Sequence, residues 1–289
     1  MHGHDHNQDH DFSTPEMAAH IELEGEVLSG LVTEALEVLD AACRRQSLKV
    51  GRVVDLGSGP GVGACLLAER FPQATVVAVD GSAAMLERAA DRARRLGLGG
   101  RVETRQVDLA EGLPSVGPSD VAWVSMSLHH LGDEAAALGT VRALLEPGGL
   151  LALVERADPV HVGGVEVEGR PGVWERLEDA WARWFEDMRA GLPGATASAT
   201  YPEMLAAAGF EVVDDRRLEL DLAAPLGPDA RRFLRHHVEG SLHRLAAYAA
   251  ADDLAAVAPF AGAADGRWDE ASISASRLLY VARPGGRAS

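Results

Sequence analysis

The chain has 289 residues, with 27 Lys or Arg against 44 Asp or Glu, and therefore a formal net charge of −17. A field of that sign repels polyanions, so we expect neither a nucleic acid nor an anionic membrane surface as a partner. With 47% hydrophobic and 25% charged residues the composition is that of a globular protein, and no apolar run reaches membrane-spanning length. The two cysteines, Cys43 and Cys65, lack the spacing of a zinc site or disulfide framework, which favours a reducing, cytoplasmic environment.

Residues 1–12 are polar and rich in histidine, and we expect a disordered tail with no assigned metal role. From there, Thr14 and Pro15 have the pattern of a helix start, and apolar residues recur at helical spacing up to about Gln46. We expect residues 13–289 to form a single domain. Its parts are N-terminal helices over 13–46, a central core over 47–155, and further helices with edge strands over 156–289.

The central core alternates short apolar strands with helices. The pattern predicts strands over 53–56, 75–79, 102–107, 120–125 and 150–155, separated by helices, and this alternation indicates a parallel sheet covered on both faces. Two later strands, over 211–222 and 274–282, predict an edge hairpin with one antiparallel strand. The expected fold is α/β, a doubly wound, Rossmann-like, mostly parallel seven-stranded sheet. One long helix is predicted over 229–257.

A glycine-rich turn follows the first predicted strand. Gly57, Gly59 and Gly61 allow a tight turn and the close approach of a ligand to the backbone, at the sheet edge where such folds bind their ligands. Asp80 closes the second strand about 20 residues further on, where it can accept hydrogen bonds from both hydroxyls of a ribose. NAD and S-adenosylmethionine share that ribose, so these residues alone leave both ligands open.

Five segments in fixed order favour S-adenosylmethionine over NAD as the ligand. Together they closely resemble class I S-adenosylmethionine-dependent methyltransferases of the small-molecule branch, over roughly residues 20–155. The segments are Asp55-Leu56-Gly57-Ser58-Gly59-Pro60-Gly61, Val77-Ala78-Val79-Asp80-Gly81-Ser82, Gln106-Val107-Asp108-Leu109, Ser127-Leu128-His129-His130-Leu131 and Leu145-Glu146-Pro147-Gly148-Gly149.

The resemblance implies a role for individual residues around S-adenosylmethionine as the cofactor. Asp55 and Gly57 would face its methionine amino end, Asp80 would hold the ribose, and Asp108 would accept from the adenine amino group. Residues 47–155 would form the cofactor-binding core, with the flanking helices as a lid. The remaining implied cofactor contacts are Ser58, Gly59, Gly61, Gly81, Ser82, Met85, Leu109, Ser125 and Met126.

A pair of histidines follows the fourth predicted strand. A histidine at the cofactor edge suits removal of a proton from an acceptor hydroxyl, and the resemblance gives His129 the position of the base, with His130 beside it. The expected partner is a small-molecule acceptor, methylated at oxygen in preference to nitrogen or carbon. No metal is expected, and a homodimer stays open.

Two other functions remain open from the sequence. One is a nicotinamide-dependent oxidoreductase on the same fold, although no Tyr-x-x-x-Lys pair is recognisable, and the other is a cofactor-binding protein that transfers no methyl group.

A helix after the fifth strand places Trp174, Trp181 and Trp184 on one face, where core packing or an acceptor would explain them. Three later histidines, His236, His237 and His243, are expected to be partly exposed.

Overall fold

In the computed structural model, residues 14–107, 116–131, 133–192, 200–262 and 265–285 are described. Their strands are β1 (Arg52–Leu56), β2 (Thr75–Asp80), β3 (Val102–Gln106), β4 (Ser119–Ser125), β5 (Leu145–Arg156), β6 (His161–Gly163), β7 (Phe210–Leu222) and β8 (Ser272–Pro284). Their α-helices are α1 (Pro15–Val27), α2 (Ser29–Arg45), α3 (Val62–Arg70), α4 (Ala83–Arg95), α5 (Glu134–Leu144), α6 (Val173–Ala190), α7 (Tyr201–Ala207), α8 (Pro228–Arg244) and α9 (Ala251–Ala261). Short 3₁₀ turns span Leu128–His130 and Asp265–Trp268.

The strands form one sheet in the order β3-β2-β1-β4-β5-β8-β6, and β7 pairs with β8 along its other side. Strands β1 to β5 are mutually parallel, whereas β8 runs antiparallel to β5, β6 and β7. The predicted Rossmann-like sheet with one reversed strand is therefore confirmed. The three-residue strand β6 is an addition to the seven predicted strands, and it continues the pairing along β8 where β5 ends.

The central strands are buried because both faces of the sheet are covered. In β1, Val53 packs in one apolar cluster with α2 and α3, and Val54 packs in the other cluster with α5. Successive side chains of a strand point to opposite faces, so a strand covered on both sides is mostly apolar. This explains why β1, β2, β4 and β5 appear in the sequence as continuous apolar runs.

The N-terminal helices are fixed to the sheet by charge as well as by apolar packing. Thr14 caps α1 by accepting from the Met17 amide, and Glu22 of α1 pairs with Arg88, Arg92 and Arg95 of α4. These ion pairs join α1 to α4 and so hold α1 beside the glycine-rich turn.

The predicted single helix over 229–257 is wrong, because α8 ends at Arg244 and α9 begins at Ala251. The break coincides with contacts from α6. The Arg183 guanidinium donates to the carbonyl oxygen of Tyr248 at 2.7 Å, and the Tyr248 hydroxyl bonds to Asp187 at 3.0 Å. These tertiary contacts satisfy polar groups that a continuous helix would bond internally, and helical periodicity alone does not reveal them.

The glycine-rich turn is sterically constrained at its last glycine. Gly61 has φ of +80° at the start of α3, and a Cβ there would lie 2.6 Å from the Ala89 Cβ. We expect Gly61→Ala to lower the free energy of unfolding by about 2–5 kcal/mol, through backbone strain and a clash with α4. Urea denaturation measures this change.

A matched control separates the two causes of that loss. Gly97, which follows α4, has φ of +72°, and a Cβ there would meet no atom of the described residues within 4 Å. Gly97→Ala should therefore show the backbone strain alone, about 1–2 kcal/mol. Equal losses in the two variants would contradict close packing at the turn.

Candidate functional site

A cavity of about 300 Å³ opens at the carboxyl ends of β1 and β4. The glycine-rich turn lines it, together with residues of helices α1, α6 and α8 and of strands β5 and β8. Parallel strands present their ligand-binding edge at this end of the sheet. That the flanking helices act as a lid stays a prediction.

Gly57 brings the turn into contact with the segment after β4. The amides of Gly57 and Ser58 donate to the Val79 carbonyl oxygen at 2.8 and 3.0 Å, which fixes the turn to β2. Gly57 has φ of +70°, and a Cβ there would lie 2.3 Å from the Ser127 Cβ. Only glycine fits between these elements, so the turn and the histidine pair are held next to each other.

Several buried polar atoms beside the turn have no hydrogen-bond partner in the described part of the chain. They are Asp55 Oδ2, Ser58 Oγ and Trp123 Nε1. The Asp55 and Trp123 atoms border one space, since a Cβ on Gly63 would lie 3.3 and 3.4 Å from them. Burial, reinforced by the charge of Asp80, raises the pKa of Asp55 to about 8. An unsatisfied carboxyl group in a cavity wall fits a ligand that carries an ammonium group.

Asp80 supports the turn from the end of β2. Its two oxygens accept from the Gly59 amide at 2.9 Å and from the Ser82 amide at 2.8 Å. A carboxylate has about four acceptor positions, so these bonds leave capacity for two hydroxyl groups. Ser82 also caps α4, accepting from the Met85 amide at 3.4 Å.

The other implied cofactor residues divide into three groups by position. Ser125 and Met126 line the cavity at the end of β4, and Met126 has a φ of +56°. Gly81 and Met85 lie beyond the wall of the cavity, with Gly81 exposed and Met85 buried in α4. Asp108 and Leu109 lie outside the described residues.

His129 is the histidine of the pair that the structure orients. It is 3% exposed, lines the cavity, and has its Nδ1 2.6 Å from Glu155 Oε2. Glu155, which is fully buried near the end of β5, also accepts from the Leu128 amide at 2.9 Å. A glutamate carboxylate accepts hydrogen bonds, so in this contact the Nδ1 of the imidazole is the donor.

The neighbours of His129 are aromatic. The His130 ring, more exposed, lies 4.2 Å from it between centroids, and the Phe185 ring on α6 contacts it edge-on at 5.1 Å. Arg189 holds this end of α6 by pairing with Glu134 of α5 at 2.9 Å. This pair fixes the end of the helix that places Phe185 against His129.

The sequence analysis missed the charged residues of the cavity wall. Glu24 on α1, Arg156 at the end of β5 and Arg277 on β8 all line the cavity. His237 lines it too, and removal from bulk water lowers its pKa to about 4. His236 is exposed as expected, although it borders the same opening. These residues lie far apart in the chain, on four different elements, so no local pattern links them.

The tryptophans of α6 separate into two environments. Trp181 and Trp184 line the cavity, whereas Trp174 packs in the core against Phe260 and Trp268. Core packing thus explains Trp174, and contact of Trp181 or Trp184 with an acceptor stays a prediction. In the described ranges, no group of three His, Cys, Asp or Glu residues is arranged to hold a metal, and no helix has the length and apolarity to cross a membrane.

Residues 53–149 match the family described as "Methyltransferase domain". A trans-aconitate 2-methyltransferase from Azoarcus sp. (strain BH72) is 37% identical over 146 residues, which are 48% of this chain and 55% of that protein. Another from Deinococcus radiodurans is 34% identical over 164 residues, 56% of each chain. The chain spans about half the length of these curated relatives.

A solved structure shares the fold more completely. A Bacillus halodurans C-125 protein described as a methyltransferase superposes with a TM-score of 0.53 at 19% identity, over 86% of this chain and 98% of that one. The fold and the glycine-rich turn are those of a Rossmann-like protein. Within it, residues 53–149 form a methyltransferase domain, which supports the class I S-adenosylmethionine-dependent type that the motifs predicted.

Proposed function

We propose that the protein transfers the methyl group of S-adenosylmethionine to an oxygen atom of a small organic molecule. The observation that carries this proposal is the His129–Glu155 pair, whose histidine lines the cavity beside the glycine-rich turn. An oriented, uncharged imidazole is the group that an acceptor hydroxyl needs in order to lose its proton. A merely structural histidine would not have to line the cavity.

The residues of the turn fit the cofactor of this class, which supplies a methyl group on a positively charged sulfur. Asp55 is positioned for the ammonium group of its methionine part, and Asp80 for the ribose hydroxyls. Gly59 would bring the backbone close to the cofactor, and Ser125 and Met126, which line the cavity, would border its methionine part. Holding both reactants in line provides most of the rate in such a displacement, and the lid helices exclude water.

In the proposed reaction, the chain's own contribution is to hold and move one proton. His129 Nε2 accepts the proton of the acceptor hydroxyl as oxygen attacks the methyl carbon. Glu155 stabilises the imidazolium that results, through the bond to Nδ1. An acceptor that is already ionised, such as a carboxylate, would need only the positioning.

The named relatives support oxygen as the target. Two are trans-aconitate 2-methyltransferases, and trans-aconitate is a small carboxylic acid. The domain match also favours this function over a nicotinamide-dependent oxidoreductase. A protein that binds the cofactor without transferring its methyl group is the remaining alternative.

Incubation with S-adenosylmethionine labelled in its methyl group distinguishes a methyltransferase from a protein that only binds the cofactor. We expect label in a small-molecule fraction when the protein meets a panel of phenols, alcohols and carboxylic acids, with the methylated atom identified by mass spectrometry. Label on nitrogen or carbon would contradict oxygen as the target. Tight binding of S-adenosylhomocysteine without any transfer would favour the binding protein.

The role of Asp80 gives a separate prediction on affinity. We expect Asp80→Ala to raise the Kd for S-adenosylhomocysteine about 10- to 150-fold, because charge-assisted hydrogen bonds contribute about 1.5–3 kcal/mol. Isothermal calorimetry measures this change in Kd. Asp133→Ala is the matched control, because Asp133 also accepts a backbone amide, that of Ala136, at 2.9 Å as a helix cap. A similar loss of affinity in both variants would show a general effect of helix capping.

A further inference from the structure

Two arginines face each other across neighbouring strands in the cavity wall. Arg156 of β5 and Arg277 of β8 are directly paired in register and are the last pair of that ladder. Like charges opposite each other in an antiparallel pair are destabilising. Two adjacent guanidinium groups are tolerated in a cavity wall when negatively charged groups compensate their charge. The neighbouring protein groups therefore show whether a bound anion is needed as well.

Protein groups compensate only part of this charge. Glu24 of α1 lies 3.6 Å from Arg277, whose Nη1 donates to the Ser276 carbonyl oxygen at 2.9 Å. Burial and then the neighbouring Arg156 lower the pKa of Arg277 to about 10. Burial alone would raise the pKa of Glu24, but the two arginines hold it below its ordinary value. One carboxylate between two guanidinium groups leaves positive charge in this wall, and Arg244, which also lines the cavity, adds to it.

Arg156 has capacity to bind a further anion. Its Nε is buried and has no hydrogen-bond partner among the residues described, although the side chain lines the cavity. Its guanidinium carbon lies 5.3 Å from the centre of the Phe185 ring, the same ring that contacts His129. Arg156 and the proposed base, His129, therefore contact the same aromatic ring.

The rest of this wall is flat and aromatic. Trp181 and Trp184 meet edge-to-face at 5.1 Å, and Arg244 lies over both rings at 5.7 and 5.9 Å. The Trp181 indole donates to Ser241 at 2.9 Å, and its ring stacks on His237 at 5.7 Å between centroids. An aromatic acceptor would stack here and bury apolar area.

From these contacts we infer that the acceptor is an aromatic acid. Its acidic group binds the Arg156–Arg277 pair, and its flat body lies along Trp181, Trp184 and Phe185. This inference rests on the proposed function, because it takes the cavity as the acceptor site. A tricarboxylate such as trans-aconitate fits less well, since it has no aromatic body to lie along the indole rings.

Binding to the full chain tests the inference without requiring turnover. The probes are benzoate, 4-hydroxycinnamate and indole-3-acetate, each compared by calorimetry with its primary amide, and trans-aconitate, with and without S-adenosylhomocysteine. We expect at least one acid to bind tenfold or more tightly than its amide and than trans-aconitate. Equal binding of acids and amides, binding of neither, or tighter binding of trans-aconitate would overturn the inference.

Variants that remove either a positive or a negative group of this wall test the arginine site directly. Arg156→Met should remove the preference for acid over amide, whereas Glu24→Gln should tighten acid binding about threefold to tenfold and leave amide binding unchanged. If Arg156→Met does not fold, Arg277→Met takes its place. If that variant does not fold either, Arg277→Lys is used, which retains the charge. An unchanged acid preference in Arg156→Met, or weaker acid binding in Glu24→Gln, would refute the arginine site.

The two proposals fail in different ways. If S-adenosylhomocysteine does not bind, the proposed function fails, while an acid preference of the protein alone still supports the arginine site. If label passes from S-adenosylmethionine to a neutral acceptor and the acids do not bind, the proposed function stands and the acceptor class inferred here falls.

Discussion

We expect His129→Ala to lower kcat by about 10²- to 10⁴-fold, the usual contribution of general base catalysis, with the Kd for S-adenosylhomocysteine within about twofold of the wild type. The reason is geometric, since His129 lines the cavity and its Nδ1 is held by Glu155 at 2.6 Å. The measurement is release of S-adenosylhomocysteine with a hydroxyl acceptor found in the labelling screen. Normal turnover would exclude His129 as the base.

Glu155 gives this prediction a second readout. Glu155→Gln keeps the shape of the side chain but removes the charge that stabilises a protonated imidazole. We expect turnover to fall, because the charge that stabilises the imidazolium formed in the reaction is lost. Turnover equal to that of the wild type would show that the pair serves packing only.

A second histidine–glutamate pair supplies the control. His161 Nδ1 lies 2.7 Å from Glu178 Oε1, outside the cavity and with the histidine side chain 41% exposed. His161→Ala removes a bond of the same kind without touching the proposed acceptor site. We expect its turnover to match the wild type, so a loss in His129→Ala alone cannot be attributed to breaking such a pair.

The sheet and the turn could be predicted from sequence because both depend on local patterns. The apolar runs of β1 and β2 indicate strands covered on both faces, and Gly57, Gly59 and Gly61 all have positive φ, a conformation for which glycine is suited. Asp55 and Asp80 follow from their place in and at the end of those strands. All of these signals lie within one short stretch of the chain.

The acceptor side could not be predicted, because its residues come together only through the folded sheet. Glu24 and Arg277 stand near opposite ends of the chain, and Arg156 meets Arg277 because β8 inserts antiparallel beside β5. In a sequence, an arginine at a strand end has the pattern of an exposed residue. Glu155 is the exception that a sharper analysis could have found, since a carboxylate inside an apolar strand requires a buried partner.

The second large effect concerns pH. We expect the affinity for S-adenosylhomocysteine to rise roughly 20-fold between about pH 6 and 7.5, because the pKa of Asp55 is raised to about 8 by burial and by Asp80. Below that pKa the carboxyl group is mostly neutral, and binding an ammonium group requires its ionised form. Each pH unit below about 8 therefore costs up to roughly tenfold in affinity, which calorimetry across this range measures.

The stability of the ligand-free protein should change in the opposite direction. The folded pKa of Asp55 lies above its unfolded value of 3.8, so its contribution to stability is fully present below pH 3.8 and is lost as the pH rises through about 8. Asp55→Asn removes both dependences, since an amide does not titrate in this range. The variant should bind weakly and without the steep pH slope.

Asp91→Asn tests whether that slope belongs to Asp55. Asp91 is an exposed carboxylate on α4, outside the cavity, and its variant should retain the full rise in affinity. If Asp55→Asn keeps the wild-type slope, the ammonium group is held elsewhere and the orphaned Asp55 oxygen needs a different ligand. If the slope disappears only in Asp55→Asn, the cofactor's charge is recognised by the carboxylate at the end of β1.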